Sequence, residues 1–236
     1  MITVIIMSLA SGVFGTMLGG LFGSMFKKNA ADVLKAFAAG MMLSLVCVDL
    51  LPEALSLAGA LTLLAGLLAG VAAAELLEST ASKHEKLDIG GKTVKINSVP
   101  GLTLFLIMAL HNLPEGMAIG TSEVVAKGMS VTLAIAMHDI PEGVAVAAAF
   151  IAGGMKKPKA VLLAGISGIP TVIGAVIGWL LGNVLDVWAA IALSIAAGAM
   201  LYVVFTEMLH FEKHTKGTSL ASIIGVIAAF FIINLI

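Results

Sequence analysis

The chain has 236 residues, of which 60% are hydrophobic and 11% are charged, and its formal net charge at pH 7 is −1. Soluble domains carry about 25% charged residues, so this composition excludes an ordinary water-soluble fold and predicts a polytopic membrane protein. The balanced charge says little about partners; we expect contact with the lipid bilayer and none with nucleic acid. Cys47 is the only cysteine, which excludes an intrachain disulfide and a cysteine-rich metal site.

Eight segments are long and apolar enough to cross a membrane, since ~30 Å of hydrocarbon needs about 20 mainly apolar residues. They are residues 2–25, 33–56, 59–78, 99–122, 129–152, 160–182, 186–209 and 218–236. The first lacks a basic start and is too long for a signal peptide, so we expect it to be retained. The sequence predicts an all-α fold, a single domain over residues 1–236 with eight transmembrane helices, in which residues 79–98 form a loop.

All thirteen basic residues are lysines, and their distribution predicts the orientation of the chain. Twelve lie at odd-numbered loops, and only Lys127 lies in an even-numbered one. The twelve are Lys27, Lys28, Lys35, Lys83, Lys86, Lys92, Lys95, Lys156, Lys157, Lys159, Lys213 and Lys216. Because lysines accumulate on the cytoplasmic side, we expect the odd loops, including residues 79–98, in the cytoplasm and both termini outside.

Two nearly identical cassettes lie 27 residues apart in the fourth and fifth spans. His-Asn-Leu-Pro-Glu-Gly begins at residue 111 and His-Asp-Ile-Pro-Glu-Gly begins at residue 138. Ionisable side chains are costly at membrane depth, where they indicate function by default. Residues four apart share a helix face, so His111 and Glu115 point the same way, as do His138 and Glu142.

The prolines of the cassettes predict bent helices. Pro114 and Pro141 each remove one backbone donor and kink the helix. The fourth and fifth spans run in opposite directions, so the cassettes form antiparallel copies. Broken helices that meet at the midplane in such an inverted repeat are typical of transporters.

Two imidazoles and two carboxylates suit zinc, and also Fe²⁺, Mn²⁺, Co²⁺, Ni²⁺ or Cd²⁺, whereas calcium prefers oxygen ligands alone. Asn112 and Asp139 occupy the next position in each cassette and can contribute to a neighbouring oxygen-rich site that shares the two glutamates. The alternative is that His111 and His138 only hydrogen-bond carbonyl groups and brace the bundle. The duplication at membrane depth favours a metal site.

The cassettes, the eight spans and the outward termini together resemble the ZIP family (Zrt-, Irt-like proteins) of divalent metal transporters. Members carry similar cassettes in the fourth and fifth spans, where these form a binuclear site. The resemblance implies a primary site of His111, Glu115, His138 and Glu142, and a second site that adds Asn112 and Asp139. It also implies a multi-pass protein of the prokaryotic plasma (inner) membrane that moves zinc, or a similar metal, into the cytoplasm.

Weaker matches to the family suggest a transport pathway. In the second span, Met42 corresponds to a methionine that can approach the primary site, although plain core packing is the alternative. Asp49 and Glu53 lie towards the outer end of that span, where they can attract cations. In the seventh span, Glu207 resembles an exit residue, while His210 fits either the pathway or an ordinary interfacial face.

Two departures from the family pattern weaken parts of this prediction. Thr171 stands where the sixth span of the family supplies a glutamate to the second site, so that site has lost an anionic ligand. The loop of residues 79–98 holds one histidine, His84, where many members have a histidine-rich tract.

Other functions remain open from the sequence. An intramembrane metalloprotease is disfavoured, because such enzymes place two histidines and a catalytic glutamate on one helix, and we expect no enzyme activity. A proton-coupled metal exporter and a membrane metal sensor without transport both fit the same ligands. Small-residue helix faces permit a homodimer without requiring one.

Overall fold

The computed structural model describes residues 1–26, 30–83, 86–89, 92–95, 99–124, 128–181, 186–210 and 215–235. Within them, eight helices are long and apolar enough to span a membrane, and all lie where the sequence predicts. In chain order, α1 to α8 are Ile2–Met25, Asp32–Leu57, Gly59–Thr80, Val99–Val124, Gly128–Ala152, Lys157–Leu180, Ala190–Met208 and Lys216–Leu235. The prediction of an all-α bundle of eight membrane helices is confirmed.

The segment between α3 and α4 contains regular secondary structure. Helical structure continues beyond α3 to Lys83. Two short antiparallel strands follow, β1 (Lys86–Ile89) and β2 (Lys92–Lys95), in which Ile89 pairs with Lys92. The connection between the third and fourth spans therefore contains the end of a helix and a short pair of strands.

The irregular turns of the helices are not at the cassette prolines. Helices α4 and α5 continue through Pro114 and Pro141, so neither proline ends its helix, and the kink expected at each one stays a prediction. One missing donor per proline leaves the hydrogen bonds on either side in place. Wider π-helical turns instead interrupt α1, α2 and α7, at Leu9–Val13, Val46–Leu50 and Val204–Met208. Such turns are rare and frequent at functional sites.

Two pairs of helices repeat the same close contact. Gly143 of α5 lies directly against the carbonyl group of Thr16 in α1, and Gly116 of α4 lies against that of Thr171 in α6. The partners within α4 and α5 are 27 residues apart, and Thr16 and Thr171 are 155 apart. Because α1 and α6 cross the membrane in opposite directions, the two pairs form an inverted repeat.

The other four helices follow the same repeat. Gly225 of α8 lies against the carbonyl group of Phe37 in α2, and Gly70 of α3 lies against that of Ile195 in α7. Glycine at these crossings lets the backbones approach closely, which drives helix association in lipid. The bundle thus comprises two groups, one of α1, α4, α5 and α6 and one of α2, α3, α7 and α8, which meet mainly where α2 packs on α5 and α4 packs on α7.

The outer surface of the bundle is apolar, as a membrane requires. Large hydrophobic side chains such as Leu61, Ile2 and Phe231 are exposed on α3, α1 and α8. The buried polar side chains concentrate in the interior, and most belong to the cassettes of α4 and α5 or face them from α1 and α6. The repeat therefore places its polar residues at the centre of the molecule.

Candidate metal centre

The four predicted ligands come together between α4 and α5. The Oε1 atom of Glu115 lies 2.7 Å from Nε2 of His111 and 2.6 Å from Nε2 of His138. An oxygen of Glu142 lies 3.6 Å from Nε2 of His111. Both imidazoles therefore converge on one carboxylate oxygen, and the second carboxylate stands beside them.

This cluster is closed to solvent except at one edge. The side chains of His111, Glu115 and Glu142 are 0%, 3% and 1% exposed, whereas that of His138 is 13% exposed. Both oxygens of Glu142 and the second oxygen of Glu115 are buried without a hydrogen-bond partner among the described residues. Buried carboxylates of this kind are costly unless a cation compensates them.

The spacing of the ligand atoms suits a tetrahedral metal ion after a small adjustment. In a zinc site with bonds of about 2.1 Å, neighbouring ligand atoms are about 3.4 Å apart. The contact between His111 and Glu142 is already near that value. The two contacts of Glu115 have hydrogen-bond lengths, so its carboxylate and the imidazoles need to part by under about 1 Å to admit an ion.

Asp139 joins a second ligand group at the edge of the first. One ligand atom each from Glu115, His138 and Asp139 lie within 4.8 Å of one another. Both oxygens of Asp139 are buried without a hydrogen-bond partner among the described residues. Asn112 donates from Nδ2 to the carbonyl oxygen of Ser167 at 2.9 Å, which leaves its Oδ1 to act as an acceptor.

Thr171 is fully buried in α6, and its side chain fills the space beside Gly12 of α1. Its hydroxyl oxygen has no hydrogen-bond partner among the described residues. The hydroxyl group of its repeat partner, Thr16, donates instead to the carbonyl oxygen of Gly12 at 2.7 Å. Thr171 thus brings no charge to the second group.

Replacing Thr171 with Val is expected to leave the amount of bound zinc per protein and the rate of zinc transport unchanged. An unpartnered buried hydroxyl contributes nothing that valine lacks. The matched control is Thr16→Val, which loses a hydrogen bond worth about 1 kcal/mol of unfolding free energy. Metal analysis after purification without chelator measures the amount of bound zinc per protein. A lower zinc content in Thr171→Val but not in Thr16→Val would indicate that the hydroxyl group of Thr171 is a ligand.

Three predicted residues lie on the α2 side of the cluster. Met42 is buried in the apolar core together with Ile107 and Met108. These two residues of α4 lie about one helical turn before His111. Asp49 is half-buried, and its charge interacts with those of His138 and Glu115. Glu53 is exposed, and its charge interacts with that of Asp49. The exposed edge of the metal centre therefore faces the acidic end of α2.

Glu207 lies apart from the four ligands. Its charged neighbours are Glu78, Lys35 and His210, and Tyr202 lies near Glu78. His210 itself is exposed. Lys35, Glu78 and Tyr202 are not among the predicted site residues. Their position at the end of a span resembles an ordinary interface, and only the packing of α2, α3 and α7 brings them to Glu207.

Fold and site together define a class, namely polytopic membrane proteins in which an inverted repeat builds a buried cluster of imidazole and carboxylate groups. The family model of the ZIP zinc transporters matches residues 71–236. The zinc transporter ZIPB of Bordetella bronchiseptica is 34% identical over 94% of this chain and 76% of its own length. The zinc transporter ZupT of an Enterobacter species is 34% identical over 89% of this chain and 86% of its own length.

The chain belongs to the ZIP family of metal transporters, and it is a transporter rather than an enzyme. The zinc transporter GufA of Myxococcus xanthus is a more partial match, 36% identical over 55% of this chain. Eight apolar helices and bacterial relatives fit a multi-pass protein of the inner membrane.

Proposed function

We propose that the protein carries zinc into the cytoplasm and that His111, Glu115, His138 and Glu142 bind the ion halfway across the membrane. The observation that supports this most is the convergence of both imidazoles on one oxygen of Glu115, which is buried between two antiparallel helices. Nitrogen and carboxylate ligands also accept Fe²⁺, Mn²⁺, Co²⁺ and Cd²⁺. Asn112 and Asp139 would add a second, weaker oxygen-rich position.

The proposed route begins at Asp49 and Glu53 and ends at Glu207 and His210. Asp49 is within range of the partly exposed ligand His138. Glu207 lies in the other half of the repeat, on the side of the membrane where the lysine-rich loops lie. We take that side as the cytoplasm, in keeping with the distribution of lysines.

Alternating access would arise from movement between the two helix groups. All four ligands belong to the group of α1, α4, α5 and α6, whereas Asp49 and Glu207 belong to the other group. A shift at the α2–α5 and α4–α7 contacts would close the site to Asp49 and open it to Glu207. Such movement of one repeat unit against another is typical of transporters built this way.

Reconstituted protein is expected to move zinc into proteoliposomes down a zinc gradient, and His111→Ala combined with His138→Ala is expected to abolish this flux. The double change removes both nitrogen ligands, and zinc binding depends on them. An internal zinc-sensitive dye measures the rate, and a panel of other metals gives the selectivity.

The same assay separates the competing functions. Flux that requires an opposing proton gradient would indicate the exporter, and binding without any flux would indicate the sensor. Uptake that survives in the double variant would contradict the proposed site.

A further inference from the structure

The π-helical turns of α2 and α7 occupy equivalent positions of the inverted repeat. Val46–Leu50 and Val204–Met208 are 158 residues apart, the same spacing as between Phe37 and Ile195 at the glycine contacts. In each turn the next residue donates its backbone N–H to the carbonyl oxygen of the first valine. The local backbone is therefore the same in both halves.

The side chains of the two turns follow one pattern. In each turn the first and last residues are buried, the second and third are exposed, and the fourth is half-buried. That fourth residue is Asp49 in α2 and Glu207 in α7. The repeat thus presents one carboxylate on each side of the metal centre, in matching surroundings of packing.

The charges around these two carboxylates do not match. Asp49 faces the negative Glu53 and Glu115 together with His138. Glu207 faces Glu78, but also the ammonium group of Lys35 and the imidazole of His210. A dication near Asp49 therefore also meets the carboxylates of Glu53 and Glu115, whereas a dication near Glu207 meets the carboxylate of Glu78 together with the fixed positive charge of Lys35.

Lys35 has no charged counterpart in the repeat. The turn of α7 packs on α2, and the turn of α2 packs on α7. Leu209, just past Glu207, packs against the apolar cluster of Ala36 and Ala221, so the start of α2, which carries Lys35, lies close to the turn of α7. The position 158 residues after Lys35 is Leu193, a buried apolar residue.

We propose that Asp49 and Glu207 are equivalent positions of the repeat that bind the metal ion with unequal affinity. Asp49 captures the ion and Glu207 releases it, and Lys35 lowers the affinity at Glu207. This inference rests on the transport function proposed above. The ammonium group of Lys35 competes with the arriving metal for the carboxylate of Glu207. Because the side chain is tethered, it occupies Glu207 as soon as the ion leaves, which lowers the affinity on the lysine-rich side.

The test measures zinc flux in proteoliposomes with Lys35→Met, which removes the charge and keeps the length, and Lys35→Arg, which keeps the charge. Lys216→Met, at an exposed lysine that begins α8, is the matched control. Zinc is varied on the entry side at zero zinc inside, and then on the exit side to measure inhibition by product. The orientation of the protein in the vesicles is determined with an impermeant thiol reagent. The reagent labels a single introduced cysteine only where that cysteine faces outward, in a Cys47→Ser background.

We expect Lys35→Met to bind zinc on the exit side at least threefold more tightly and to turn over at least threefold more slowly, with unchanged KM on the entry side. Lys35→Arg and Lys216→Met should match the parent protein. In a Glu207→Gln background the change at Lys35 should have no further effect on the affinity of the exit side, because the pair acts as a unit.

Unchanged affinity on the exit side in Lys35→Met, or an equal gain in the Glu207→Gln background, would overturn the inference while leaving transport intact. A gain in Lys35→Arg equal to that in Lys35→Met would also overturn it, since shape rather than charge would then matter. An absence of zinc flux in the parent protein would instead overturn the proposed function, and this inference with it.

Discussion

Replacing Glu115 with Gln is expected to weaken zinc binding by more than about 100-fold and to stop transport. Glu115 contacts both imidazoles through one oxygen, so the change removes the negative charge on which both nitrogen ligands converge. Removing one partner of a buried charged pair costs about 3–5 kcal/mol, and each 1.4 kcal/mol is a tenfold change in affinity. Calorimetric titration of zinc into purified protein measures the affinity, and proteoliposome flux measures transport.

Asp32→Asn is the matched control for this change. Asp32 is an exposed acid near the start of α2, so loss of its charge should leave zinc affinity within about twofold of the parent protein. Size-exclusion chromatography must show that both variants remain folded. Zinc affinity within tenfold of the parent in Glu115→Gln would contradict the proposed ligand set.

The second large effect is on stability. Gly143→Ala and Gly116→Ala are each expected to lower the free energy of unfolding by about 1–3 kcal/mol. A Cβ atom at either position would meet the backbone carbonyl group of Thr16 or Thr171, which cannot rotate away as a side chain does. Helices α1 and α5, or α4 and α6, would then have to separate.

Thermal unfolding in detergent should show a fall in midpoint of roughly 5 °C for each variant. Gly217→Ala serves as the control, since its nearest neighbour is the hydroxyl oxygen of Thr215 at 3.5 Å and the added methyl group fits. A midpoint equal to that of the parent in Gly143→Ala would mean that the helices at this crossing are not held as closely as the structure shows.

Much of the fold follows from the sequence because lipid imposes a simple rule. A helix of about 20 apolar residues is the only way to satisfy the backbone of a single segment in hydrocarbon, so eight such segments predict eight helices. The convergence of His111 and Glu115 follows equally simply from helix geometry. The duplicated cassette then predicts its partner helix.

Features that depend on packing between distant segments were not predictable in this way. The π turns of α2 and α7 have no local sequence mark, and the electrostatic influence of Lys35 on Glu207 joins residues far apart in the chain. Lys35 stands near the loop that precedes α2, so its sequence position is that of a loop lysine. Helices α4 and α5 run on through Pro114 and Pro141, because one lost hydrogen bond does not end a helix that its neighbours hold on both sides.

The inverted repeat also supplies the protein with its own reference. Equivalent positions such as Gly116 and Gly143 make the same helix contact, so substitutions there should lower the free energy of unfolding by similar amounts. Where substitutions at equivalent positions have unequal effects, as we expect for His138 near Asp49 and the fully buried His111, the difference indicates a functional role. Comparing the two halves of one molecule can therefore distinguish residues that stabilise the fold from residues that take part in transport.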